Sequence, residues 1–169
     1  MKKQFCIFLT LLLVLSLWGC GKSAKENTVP FYYPRQTPVF NAKNGVIASE
    51  NREIGDSGDL SEILTLYLAG PLDNALVSPF PSQNRLLEVS LENGTLTVLL
   101  SQHFSTLDGT KMTIACACLA KTCLELTDAQ QVTIISDSFS ITLNSASITL
   151  FDDSMTGGKP KNITLEETQ

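Results

Sequence analysis

The spacing of apolar residues divides the chain into one long apolar run near its start and, from Val29 onward, short segments that switch between strand and helix periodicity. Val29 to Phe40 mixes Phe31, Tyr32, Tyr33, Val39 and Phe40 with Pro30, Pro34 and Pro38, which predicts short, edge-like strand pieces. Gly45 then opens Val46 to Ile54, a second strand, followed by a loop over 55–58. Asp59-Leu60-Ser61-Glu62 has the form of a capping box. The helix it starts carries Leu60, Ile63, Leu64, Tyr67 and Leu68 on one stripe, and Gly70-Pro71 stops it. Leu66 falls off the stripe, which predicts that a second side of this helix is covered.

A loop from Pro71 to Arg85 leads to two β-rich runs, Leu86 to Leu91 and Thr95 to Ser101, joined by Glu92-Asn93-Gly94. Asn-Gly suits a type I′ turn, whose two central residues both need positive φ, so these runs form a hairpin. Lys111 to Leu126 is the second helix: Met112, Ala115, Cys116, Leu119, Ala120, Cys123 and Leu126 gather on one side and Lys121, Thr122 and Glu125 on the other. Cys118 falls on the polar side and is expected to be a partly exposed thiol. Val132 to Ile135 and Phe139 to Leu143 read as strands, Ile148 to Phe151 as a continuation of the sheet, and the polar stretch from Asp152 to Gln169 as a frayed tail. The expected fold is α/β of the α+β kind, a two-layer sandwich in which a mixed or antiparallel sheet of about 4–6 strands is backed by two helices.

The apolar run at the start follows a different logic. Lys2 and Lys3 precede Cys6 to Trp18, and Leu17-Trp18-Gly19-Cys20 closes the segment with a small residue beside a cysteine. A positive n-region, a short apolar h-region and a small residue at the cleavage point make an export signal. The run is shorter than the ~20 residues a membrane-spanning helix needs. Cysteine directly after Leu-x-Gly resembles the lipobox of bacterial lipoproteins, which implies that Cys20 becomes the lipid-bearing first residue after cleavage. Two or more acyl chains bury enough CH₂ groups for stable attachment. The expected organisation is a signal peptide over 1–19, a flexible tether over 20–28, one folded domain over 29–152 and a polar tail over 153–169.

Charge narrows the partners. The chain carries 12 Lys+Arg against 17 Asp+Glu, and loss of Lys2 and Lys3 with the leader makes the remainder more acidic still. An acidic domain lacks the Lys/Arg clusters that neutralise phosphates, so nucleic acid is not an expected partner. Adsorption to anionic lipid is disfavoured for the same reason, which leaves membrane affinity to the lipid on Cys20.

The residues that could carry chemistry are few. On one helix Cys116 and Cys118 point about 200° apart and Cys116 and Cys123 are separated by roughly 10.5 Å of rise. A disulfide needs Cα atoms within about 7 Å, so none of these pairs closes within the helix. Cys116 and Cys123 are expected to be small core residues. His103 is the only histidine, and a zinc site would want further Cys or His at ligand spacing. Asp152-Asp153 reads as a solvated strand end, and Asn93-Gly94-Thr95 as a turn rather than a glycosylation acceptor. Nucleophile elbows, His-Glu-x-x-His pairs and phosphate-cradling loops are absent. Neither catalytic residues, metal ligands nor a cofactor are therefore assigned, and the expected activity is not enzymatic. Pro71 to Arg85 is the alternative functional element, as the rim of a site for a small ligand or peptidoglycan fragment.

Particular phrases carry a family resemblance. Leu66-Tyr67-Leu68-Ala69-Gly70-Pro71 after a capped helix, Val77-Ser78-Pro79-Phe80-Pro81 in the loop, the strands around Asn93-Gly94, and Leu107-x-Gly109 ahead of Ala115-Cys116-Ala117-Cys118-Leu119-Ala120-x-Thr122 resemble the GerMN domain. The match runs roughly from Phe31 to Leu143. It implies a ring-building-like fold that assembles with copies of itself or with neighbours, in a lipid-anchored, extracytoplasmic protein of a spore-forming Firmicute. The implied partners are envelope or sporulation complex proteins, and the implied processes are sporulation and spore germination. The family's namesake carries two such domains, whereas this chain has room for one.

Overall fold

The computed structural model describes residues 28–38, 45–54 and 58–148. The expected export signal, Cys20, the expected tether before residue 28, residues 39–44, residues 55–57 and the chain from residue 149 lie outside the described residues. The elements are β1 (Thr28–Pro34), β2 (Ile47–Glu53), α1 (Leu60–Leu68), β3 (Leu86–Glu92), β4 (Thr95–Leu100), α2 (Gly109–Leu126), β5 (Gln131–Ser136) and β6 (Phe139–Asn144).

The Asn-Gly hairpin forms as its chemistry dictates. Asn93 and Gly94 take φ of 50° and 76°, and β3 and β4 pair antiparallel on either side of them. The turn also serves the next connection, because the Gly94 carbonyl accepts from Gln130 N at 2.8 Å. β4 then alternates strictly, with Leu96, Val98 and Leu100 buried and Thr95, Thr97 and Leu99 half-buried. β5 lies parallel to β4, and parallel neighbours need a long crossover, which α2 supplies. β6 returns antiparallel to give the order β3-β4-β5-β6. The fold is therefore α+β with a mixed sheet, as the sequence implied, and the strands divide into a sheet of four and a separate pair, β1-β2.

That division corrects the expectation for Cys118 and Thr122. Both are fully buried, as is Ala117, although the helical wheel put Cys118 and Thr122 on the polar side. The reason is that α2 is covered twice, by β5 and β6 on one side and by β1 on another. Only Lys121 and Glu125 of the predicted polar face keep access to solvent.

β1 is one unbroken strand despite its prolines, and its hydrogen bonds explain why. Tyr32 N–H points away from β2 and donates to Thr122 Oγ1 at 3.0 Å. Residues of the same parity, Pro30 and Pro34, therefore sit where a backbone N–H would face away from the ladder, the one place in a strand that tolerates proline. The carbonyls on that edge are taken as well: Tyr32 O accepts from Tyr67 Oη at 2.8 Å and Pro34 O from Val77 N at 2.9 Å. An edge that would otherwise recruit another strand is closed by side chains and a loop.

α1 starts at Asp59, whose carboxylate accepts from Ser61 N at 2.9 Å, and ends before Gly70, which takes φ of 102°. Its apolar stripe buries Ile63, Leu64 and Tyr67. Leu66, expected to lie under a second cover, is among the exposed large apolar residues. Tyr67 is the hub of an aromatic cluster, stacked on Tyr33 at 5.0 Å and edge-on to Phe31 and Phe80 at 5.2 and 5.3 Å. The expectation that the sheet continues at Ile148 is also corrected: residues 145–148 form a helical turn, which Asn144 Oδ1 starts by accepting from Ser147 N at 2.9 Å, and Ile148 enters the core from it.

Candidate functional site

Cys20 and Asp152-Asp153 lie outside the described residues. Cys116, Cys118 and Cys123 are free and buried in α2. Burial pushes the thiols of Cys116 and Cys123 up to about 12 and raises that of Cys118 strongly, with the nearby Lys121 charge offsetting only part of the rise. These thiols are core groups held protonated, and the partly exposed thiol expected at Cys118 is instead fully buried. His103 stands at the start of a 3₁₀ turn, Phe104–Thr106, with Nδ1 3.5 Å from Ser101 Oγ. Among the described residues no group of three or more His, Cys, Asp or Glu could hold a metal ion.

The Pro71 to Arg85 loop is far from slack. Glu50 of β2 accepts from Leu72 N and Asp73 N at 3.1 and 2.9 Å, so a carboxylate fills the cradle made by two successive backbone N–H groups. The same carboxylate pairs with Arg52 Nη1 at 2.6 Å, and Arg52 also donates to Gly70 O at 3.3 Å. Further along, Gln36 N donates to Ala75 O at 2.8 Å. The first half of the α1 to β3 connection is thereby fixed to β2 and to the segment after β1, while its far end is held beside β4, where Ser101 N donates to Arg85 O at 2.9 Å. Glu50, Arg52 and Thr122 were not legible as important positions, because each acts on backbone groups remote in sequence.

Against this fixed loop lies a groove of about 550 Å³. The last turn of α1 (Thr65, Leu68, Ala69) forms one side and the end of the loop (Phe80, Asn84, Arg85) the other. Arg85 is the only charged residue lining it, and its side chain has no ion-pair partner among the described residues. Behind it, Ser101 Oγ accepts from Arg85 N at 3.1 Å and donates to Asn84 Oδ1 at 3.3 Å, while Asn84 Nδ2 is buried without an acceptor. Elsewhere, on the face of the four-stranded sheet turned away from the helices, Glu88, Thr97 and Ile135 rim a shallow depression of about 160 Å³. The groove contains no carboxylate and the depression contains one, so neither has the paired carboxylates of acid–base hydrolysis. Among the described residues no helix is long and apolar enough to cross a membrane.

The model of the Germane family, described as "Sporulation and spore germination", matches residues 30–138. The chain belongs to the Germane family. Among curated proteins none matches. The first GerMN domain of the sporulation protein GerM from Bacillus subtilis superposes with a TM-score of 0.52 at 14% identity, over 68% of this chain and 85% of that one. The tandem GerMN domains of the same protein give 0.49 at 15% identity, over 70% of this chain. The chain spans 42% of the tandem structure's length. A Clostridium perfringens protein described as a lipoprotein gives 0.43 at 18% identity, over 70% of this chain and 87% of that one. At such identities the likeness to the first GerMN domain is one of fold, and it places the sheet, the helices and the intervening loop of this Germane domain within a known architecture.

Proposed function

We propose that the chain is a non-catalytic assembly module of sporulation or spore germination, held at the outer face of the cytoplasmic membrane of a spore-forming Firmicute by lipid on Cys20. The observation that carries this reading is the Germane match over 30–138, in a domain whose described cysteines are buried in its own core. The thiols are buried and protonated, and the Glu50–Arg52 pair fixes a loop. What remains for solvent is surface for contact with envelope complex proteins or with a second copy of the domain. The lipobox-like Leu17-Trp18-Gly19-Cys20 supports the anchor, and the acidic composition supports protein rather than nucleic acid as the partner.

The test is genetic. Removing the gene is expected to lower heat-resistant spore counts or slow the loss of optical density on germination. A wild-type copy restores the phenotype, and a Cys20→Ala copy does not. Unchanged spore yield and germination in the deletion strain would remove the basis for the reading. A second function, capture of a small ligand or wall fragment, is favoured by one observation only, the groove beside Arg85.

A further inference from the structure

We propose that the groove between the end of α1 and the Pro71 to Arg85 loop binds the free C-terminal carboxylate of a short peptide with small apolar side chains, with Arg85 as the carboxylate's partner. This goes beyond the assembly role and does not depend on it.

Four features of the groove point to that ligand. Its volume of about 550 Å³ lies within the ordinary range for small-ligand sites, and the wall at Arg85 is tied to the end of β4, where Arg85 N donates to Ser101 Oγ and Arg85 O accepts from Ser101 N. Its charge is set by Arg85, the one charged residue among those lining it, in a chain of formal net charge −5, so it attracts an anion. The guanidinium is exposed, has no ion-pair partner among the described residues and is suited to bidentate contact with a planar carboxylate. Finally, Asn84 Nδ2 is a buried donor lacking an acceptor in the wall beside Arg85, and buried donors are rarely left so. Asn84 lines the groove, so rotation of its amide would bring that donor to a carboxylate seated on Arg85.

The rest of the lining selects among anions. Leu68, Phe80 and Leu86 offer an apolar floor, and the hydroxyls of Ser78 and Ser82 lie where a peptide backbone could find donors or acceptors. A phosphate carries more charge than one arginine neutralises and has no use for an apolar floor, so a peptide carboxylate fits better than a phosphate group.

A chemical-shift titration of the ¹⁵N-labelled full chain in detergent micelles tests this, with N-acetyl-trialanine as probe. The free carboxylate form is expected to shift amide signals of Ser78 to Leu86 saturably. The C-terminal amide form and Arg85→Gln are each expected to weaken binding by about tenfold or more, as loss of a charged hydrogen-bonded pair does. Arg85→Lys keeps the charge without the fork and should fall between. The proposal is overturned if carboxylate and amide probes bind alike, if neither shifts these signals, or if inorganic phosphate binds there as tightly as the peptide. The contrast between the two probes uses the unmodified protein, so it stands even if a variant misfolds.

Discussion

At position 122 a threonine hydroxyl accepts the Tyr32 N–H inside the contact between α2 and β1, with no solvent access. Thr122→Val keeps the volume and removes the acceptor, leaving a buried donor unsatisfied. The expected cost is about 1–3 kcal/mol in denaturant unfolding, with Thr122→Ser costing less because its oxygen remains. The buried thiols give a second prediction. Their folded pKa is raised above the ordinary value of 9.0, so the protonated thiol favours the fold. That contribution is fully present below pH 9 and is lost as pH rises from 9 toward about 12, where unfolded thiols ionise and folded ones do not. Urea midpoints should therefore fall on moving from pH 8 into that window, and iodoacetamide at pH 8 should spare Cys116, Cys118 and Cys123 until the protein is unfolded. Rapid native labelling of Cys118 would contradict its burial.

Elements differ in how far the sequence reveals them. The hairpin was legible because Asn93-Gly94 states its own backbone geometry, and α1 because Asp59, the stripe and Gly70 mark its start, face and stop. α2 was legible as a helix but not in its surroundings. A wheel assigns Thr122 and Cys118 to the polar side from their chemistry, whereas burial depends on where β1 returns, some 90 residues away in sequence. The prolines of β1 were read as interruptions, since parity relative to β2 is a property of the pairing and not of the strand itself. Of the candidate site, Pro71 to Arg85 was visible as a loop, but the Glu50 cradle that holds it joins residues 22 and 23 apart and leaves no local pattern. Two tests belong here. Glu50→Gln weakens the pair with Arg52, which is nearly buried, and should destabilise by a few kcal/mol while loosening the loop, seen as faster hydrogen exchange at Leu72 and Asp73. Gly94→Ala, at φ of 76°, should cost about 1 kcal/mol or more through backbone strain.

Among the described residues a mixed sheet of four strands and a smaller strand pair pack with α1 and α2, and polar groups are committed to closing an edge and fixing a loop. Membership of the Germane family links such a domain to sporulation and spore germination. The proposed assembly role requires the domain to be presented at a membrane, and the described residues contain no helix that could span one. The proposed attachment is through lipid on Cys20. Intact-mass and peptide mass spectrometry of the protein isolated from the cells that make it measures this directly. The account predicts a chain beginning at Cys20 and carrying a diacylglyceryl group, whereas a chain that keeps its first nineteen residues, or starts elsewhere without lipid, contradicts it.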